Sequence, residues 1–213
     1  VPTYNLLGQV TSSTTTPPAT VTTAGAAKTL AYTYNVDGQL LKESLNGVVE
    51  ATANYDVFGR LANTTDPATP AVAYGNGTSL SSVAYDPTGP VTGEAWSFAG
   101  ASPSVSDATV LSQSGRILED TITDGSTPYV SAYTYDAVGR LTGATVPDNT
   151  LAYGFGASGV CGVDTAAGAG GNRTSFTDTV TGGPGASSTP VAVEYYYDDA
   201  DRLTSDCVSG ATA

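Results

Sequence analysis

Residues 132–144 read AYTYDAVGRLTGA, and inside them Tyr135-Asp136-Ala137-Val138-Gly139-Arg140-Leu141 forms a Tyr–Asp–x–x–Gly–Arg–Leu phrase. The phrase reads as a hairpin tip. Asp is favoured at the first position of a type I turn, where its side chain caps backbone N–H groups. Gly three residues later takes the positive φ that a short hairpin with a bulge requires. Residue 136 then faces residue 140, and residue 135 faces residue 141. Because side chains alternate across a strand, Tyr135 shares a face with Leu141 and Asp136 shares the other with Arg140.

The phrase recurs in several states of wear. Tyr55-Asp56-Val57-Phe58-Gly59-Arg60-Leu61 is complete. Tyr197-Asp198-Asp199-Ala200-Asp201-Arg202-Leu203 has Asp in the glycine position, which that residue tolerates at some cost. Tyr4-Asn5 with Gly8-Gln9, and Tyr34-Asn35 with Gly38-Gln39, carry amides in place of the charges. Tyr85-Asp86-Pro87-Thr88-Gly89-Pro90 loses the arginine, and Leu111-Ser112 with Gly115-Arg116 loses the tyrosine and aspartate. A looser copy ends at Gly171-Asn172-Arg173. The steps between glycine positions are 30, 21, 30, 26, 24, 32 and 30 residues, so insertions between copies are tolerated. Such self-similarity is the mark of a repeat architecture.

The copies predict a cross-strand pair. Asp56 accompanies Arg60, Asp136 accompanies Arg140, and Asp198 accompanies Arg202. Where Asp becomes Asn at 5 and 35, Arg becomes Gln at 9 and 39. All five arginines (60, 116, 140, 173, 202) fall in the phrase or its looser copy, so they read as structural rather than as a basic patch. The repeated tyrosines read as rungs packing between neighbouring hairpins.

Between the tips, "LLKESLNGVVEATANY" (40–55) turns at Asn46-Gly47, a strong hairpin signal, and "ILEDTITDGSTPYVSAYTYD" (117–136) turns at Asp124-Gly125. Turns therefore alternate between the phrase and the far end. The expectation is an all-β protein: one antiparallel meander of about eight consecutive hairpins over residues 1–213, forming a curved strip. Segments 11–27, 63–70, 99–107 and 181–190 are rich in Ser, Thr, Pro and Gly and read as long connections.

Bulk composition agrees. Charged residues are 13 % of the 213, about half the usual share. Gly, Ser, Thr, Ala, Val and Tyr replace them, a mixture suited to strands and turns. A net charge of −13 repels a phosphate backbone and an anionic bilayer, which argues against nucleic acid and membrane surfaces as partners. No apolar run approaches 18 residues, so no helical span is expected. The chain has no Met and opens inside a repeat copy, and it reads as a segment of a longer protein.

No His is present, which removes His acid–base chemistry, the Ser-His-Asp triad and mixed Cys/His zinc sites. No catalytic residue, cofactor or metal is expected. Asp198, Asp199, Asp201 and Asp206 could in principle hold Ca²⁺, but they read as residues of the last hairpin tip and its strand. Cys161 and Cys207 are the only cysteines, and a disulfide between them is the simplest use, implying an oxidising compartment.

The phrase at this loose spacing resembles the YD repeat of bacterial Rhs proteins, of the C component of insecticidal toxin complexes, and of animal teneurins. The stretches "YGFGASGVCG" (153–162) and "GNRTS" (171–175) resemble Rhs stretches as well. The resemblance implies a strip of hairpins that spirals into a hollow shell on a secreted or cell-surface protein. It implies the rest of that shell and an enclosed C-terminal toxin polypeptide as partners. Teneurin-like adhesion, with glycans as ligands, is the alternative it implies. The autoproteolytic aspartate motif of Rhs shells has no counterpart here, so no cleavage residue carries over.

Overall fold

The computed structural model describes residues 1–16, 27–66, 77–98, 104–156, 171–183, 185–187 and 189–209. Among these residues the protein is all-β. Sixteen strands follow one another in sequence order, each hydrogen-bonded to the next in an antiparallel meander. The chain divides into two compact units, Val1–Ala108 with Thr123–Thr127, and Thr109–Ile122 with Pro128–Ala213.

The first unit contains β1 (Pro2–Tyr4), β2 (Val10–Thr15), β3 (Lys28–Tyr34), β4 (Leu40–Leu45), β5 (Val48–Tyr55), β6 (Leu61–Thr65), β7 (Ser79–Tyr85) and β8 (Val91–Ser97). It also holds the start of β9 (Val105–Leu111), which pairs with β8 from Trp96↔Val105 to Gly93↔Ala108. The far-end turn between β4 and β5 is Asn46-Gly47, with φ of 51° and 84°. Two consecutive positive φ values match the twist of the flanking strands.

The second unit contains most of β10 (Ile117–Asp124) and β11 (Thr127–Tyr135), then β12 (Leu141–Val146), β13 (Asn149–Gly154), β14 (Ser175–Val180), β15 (Val191–Tyr197) and β16 (Leu203–Ser209). A tight turn joins β12 to β13 at Pro147-Asp148, closed by the pair Val146↔Asn149, with Asp148 at φ 68°. The turn lies outside the hairpin signals read from the sequence, although Pro followed by Asp is turn chemistry.

Two expectations need correction. The turn between β10 and β11 sits at Gly125-Ser126, one residue later than Asp124-Gly125, with Gly125 at φ 62°. Glycine in the first central position is the other common hairpin solution. Three of the segments expected as connections are partly strand: β2 runs to Thr15, β6 to Thr65, and β9 begins at Val105. Thr is β-branched and favours the extended backbone, so a Ser/Thr-rich run lengthens a strand before it becomes a loop.

Burial is sparse. Among the described residues, the buried apolar side chains are Leu80 and Ala144, and the buried polar ones are Ser44, Thr174 and Glu194. Order in this protein comes from the ladder and its side-chain bonds more than from a packed interior.

Candidate functional site

The hairpin tips share one geometry. In seven copies the second position donates its N–H to the sixth-position carbonyl, and the fifth position donates back to the second. Asp56 N to Arg60 O is 2.8 Å and Gly59 N to Asp56 O is 3.0 Å; Asp136 with Arg140 and Gly139 gives 3.0 and 2.9 Å. The same two bonds close the tips at Asn5, Asn35, Asp86, Ser112 and Asp198. Gly8, Gly38, Gly59, Gly89, Gly115 and Gly139 all have positive φ, and Asp201 takes the same conformation at 59°. A one-residue register shift accompanies each tip whose pairing is described; Tyr55 faces Leu61 and Tyr135 faces Leu141. That combination is a type I turn followed by a bulge.

The second-position side chain holds the turn shut. Asp56 Oδ1 accepts from the N–H of Phe58 and of Arg60, both at 2.9 Å, and its Oδ2 accepts from Arg60 Nε at 2.7 Å. Asp136 repeats this with Val138 and Arg140, and Asp198 with Ala200 and Arg202. Asn5 and Asn35 keep the two backbone bonds and donate Nδ2 to Gln9 and Gln39 Oε1, both at 2.8 Å. The amide pair thus reproduces the ion pair without charge.

These bonds act on the carboxylates. Partial burial pushes the Asp56 carboxyl up, but the Arg60 and Phe58 N–H groups and the Arg60 guanidinium outweigh it and hold it below its ordinary value. Asp136 is held down first by the Arg140 N–H, against burial, and Asp198 first by the Arg202 side chain. In Asp86 the Thr88 hydroxyl and N–H have the same effect.

Successive hairpins are joined by the tyrosine. The backbone ladder between hairpins stops short of the tips: β2 and β3 pair only as far as Ser12↔Ala31, and β4 and β5 only as far as Lys42↔Thr52. Beyond that point the first-position tyrosine supplies the donor. Its hydroxyl bonds the seventh-position carbonyl of the preceding copy, Tyr34 to Val10 at 2.8 Å, Tyr55 to Leu40 at 3.0 Å and Tyr85 to Leu61 at 2.8 Å. In the second unit Tyr135 reaches Ile117 at 2.9 Å and Tyr197 reaches Arg173 at 2.8 Å. Each such bond is worth about 0.5–1.5 kcal/mol net.

The sixth position reinforces the joint. Gln9 Nε2 donates to Gly38 O at 2.7 Å, and Gln39 Nε2 to Gly59 O at 2.6 Å. Arginine in that position lies over the next first-position ring instead. Arg60 Cζ is 4.2 Å from the Tyr85 centroid, Arg140 Cζ 4.2 Å from Phe155, and Arg116 Cζ 5.9 Å from Tyr135. Stacking of this kind contributes about 0.5–1 kcal/mol at exposed sites.

The pattern resolves the looser copy. Tyr197 bonds Arg173 O, so Arg173 holds the seventh position and Asn172 the sixth. Asn172 Nδ2 accordingly donates to Asp201 Oδ1 at 3.0 Å, from the sixth position to the next fifth. Thr174 N bonds Gly154 O at 2.8 Å, which sets Phe155 opposite Arg173 as the first-position aromatic. Sequence reading did not single out Phe155, because its tip partners lie a long insertion away. Arg173 stands among the rings of Tyr153, Phe176 and Tyr195, 5.0–5.8 Å from their centroids.

Open clefts lie at the tips. One of about 520 Å³ is lined by Phe58, Arg60, Tyr85, Pro87, Thr88 and Gly89. Another of about 230 Å³ is lined by Leu141, Tyr153, Phe155 and Arg173. Of the third and fourth positions of the first three tips, all but Asp37 are apolar and bare: Leu6, Leu7, Val36, Val57 and Phe58 are each 72 % exposed or more. Asp198 and Asp201 are engaged with Arg202 and Asn172, and no group of three or more His, Cys, Asp or Glu side chains is arranged to hold a metal among the described residues. Cys207 lies on β16 opposite Glu194, while Cys161 falls outside the described residues.

No protein-family model matches the chain, and no curated protein matches it. Among solved structures it is similar to the Photorhabdus luminescens Tc holotoxin pore over 97 % of its own length, at 12 % identity and a TM-score of 0.27. The chain spans 14 % of the length of that structure's chain.

Proposed function

We propose that this chain is a non-enzymatic wall segment of a YD-repeat shell, secreted or displayed at a cell surface, which encloses a C-terminal toxin or effector polypeptide. The observation that carries the reading is the tyrosine–carbonyl bond repeated from copy to copy. A wall must have no leak between its staves. Where the backbone ladder ends near the tips, the tyrosine ring fills the gap and its hydroxyl closes the carbonyl left open. Function is then steric: cargo stays in and proteases stay out. The sparse burial fits a sheet whose faces meet other polypeptide.

The test uses the parent chain that carries this segment. Treated with a broad protease, its C-terminal polypeptide should survive until guanidinium opens the wall. Digestion at the rate of the isolated polypeptide would rule out enclosure.

A second reading, adhesion to a glycan or partner cell, is favoured by the bare apolar tips and by the cleft between Phe58 and Tyr85. Saturable binding on a glycan array, abolished by Phe58→Ala, would favour it over the wall.

A further inference from the structure

Arg173 breaks the rule that the other copies keep. Their seventh position is apolar: Val10, Leu40, Leu61, Val91, Ile117, Leu141 and Leu203. In the looser copy Arg173 holds that position, since its carbonyl accepts from Tyr197. The seventh position shares a face with the first-position aromatic, so a charge has been set on the apolar side of the tip, opposite Phe155. The sixth position, where Arg60, Arg140 and Arg202 grip their aspartates, is Asn172 here. A side chain that breaks a local rule with no structural gain marks a place where function is to be sought.

No such gain is present. Arg60, Arg140 and Arg202 each hold an aspartate, whereas Arg173 makes no ion pair among the described residues. The chain has 20 Asp and Glu against seven Lys and Arg, so carboxylates are not scarce. The Arg173 guanidinium makes a single long hydrogen bond, Nη2 to the Tyr195 hydroxyl at 3.4 Å. Otherwise it stands among the rings of Tyr153, Phe176 and Tyr195. Ring faces attract a cation without neutralising it.

The same arginine lines the cleft of about 230 Å³ with Leu141, Tyr153 and Phe155. Those three side chains are half-buried, and Arg173 is exposed. The volume falls below the about 300–1,000 Å³ of sites for drug-sized ligands, which limits an occupant to about one ring. One cation suits a monoanion. Arg140, which covers Phe155, already has its charge matched by Asp136. A phosphate dianion would need more positive charge, and a net charge of −13 repels it. A planar guanidinium fits a carboxylate through two parallel N–H···O bonds.

We infer that this cleft binds a small aromatic monocarboxylate. Its carboxylate takes the Arg173 guanidinium, and its ring lies against Leu141, Tyr153 and Phe155. The site goes beyond the wall reading and does not depend on it, because nothing in it requires an enclosed cargo.

The probe is phenylacetate, titrated into the whole chain and followed by NMR. Binding should be saturable and 1:1, with a Kd of about 1 mM or tighter, and the ligand ring should show contacts to the Leu141 methyls. 2-Phenylethanol keeps the ring without the charge, and acetate keeps the charge without the ring. Each should bind at least about tenfold more weakly. Arg173→Leu installs the residue that four sister copies carry at that position, so the hairpin is expected to persist. It should weaken phenylacetate by at least about tenfold. No saturation up to about 20 mM overturns the inference. So does equal binding of 2-phenylethanol or acetate, a ligand ring that contacts residues away from Leu141, or binding that ignores Arg173→Leu. The ligand comparison and the ring contacts are read on the unmodified chain, so they decide the matter even if the variant does not fold.

Discussion

The Tyr55 hydroxyl donates to the Leu40 carbonyl at 3.0 Å, although the backbone ladder joining their strands ends at Lys42↔Thr52. A side chain thereby does near the tip what backbone N–H groups do farther along. In the copies that carry it, the tyrosine spans the stretch beyond the ladder and still ends in a donor.

Removing that donor alone should be measurable. Tyr55→Phe should lower stability to urea by about 0.5–1.5 kcal/mol, the net worth of a hydrogen bond. Tyr4→Phe should change it by less than about 0.5 kcal/mol, the usual scale for an exposed site. Equal effects at the two positions would show that the hydroxyl bond is not what holds the hairpins together.

The Asp56–Arg60 pair should be exchangeable for an amide pair. Asn35 with Gln39 supplies the same bonds to the turn and reaches the next copy besides. The double variant Asp56→Asn/Arg60→Gln should be more stable than Asp56→Ala, which leaves the Phe58 and Arg60 N–H groups without their acceptor. Thermal melts of the variants settle the order, and a double variant less stable than Asp56→Ala would refute the equivalence.

Glycine substitutions should separate backbone strain from crowding. A Cβ at Gly8 meets open space, so Gly8→Ala carries only the left-handed strain of φ 77°, about 1–2 kcal/mol. A Cβ at Gly139 falls on the Arg116 guanidinium. Gly139→Ala should therefore cost more than Gly8→Ala and also displace Arg116 from the Tyr135 ring. Arg116→Ala in the Gly139→Ala background should recover the excess, read from urea midpoints.

Acid should loosen the charged tips. The carboxyls of Asp56, Asp86, Asp136 and Asp198 lie below their ordinary value near 3.8 in the folded protein. A depressed folded value means that their stabilisation is complete above the unfolded value and is lost as pH falls through the folded one. Stability should thus decline below about pH 4. The Asp56→Asn/Arg60→Gln variant should decline less steeply, since its pair does not titrate. A slope unchanged by that substitution would assign the acid loss elsewhere.

The proposed disulfide has a direct test. Non-reducing mass spectrometry should recover a linked peptide pair containing Cys161 and Cys207. Among the described residues no cysteine is free. Two alkylatable thiols in the native chain would reject the pairing.

The sequence by itself determined the local chemistry. Asx in the second position, a residue tolerant of positive φ in the fifth, and covarying Asp/Arg or Asn/Gln are short-range constraints, written within seven residues at each tip. They were sufficient to read an all-β meander of antiparallel hairpins. What only the tertiary structure decided is how one hairpin addresses the next. The acceptor for Tyr197 is Arg173, 24 residues away, and the partner of Arg140 is Phe155, beyond a tight turn outside the hairpin signals read from the sequence. Gly171 already marks the later side of the looser copy in the sequence, but its first-position aromatic, Phe155, was placed only by the structure, because an insertion separates the two sides of its tip. Insertions of variable length erase the spacing between copies while leaving the contacts intact. A hydrogen bond depends on where atoms meet in space, and sequence separation does not record that.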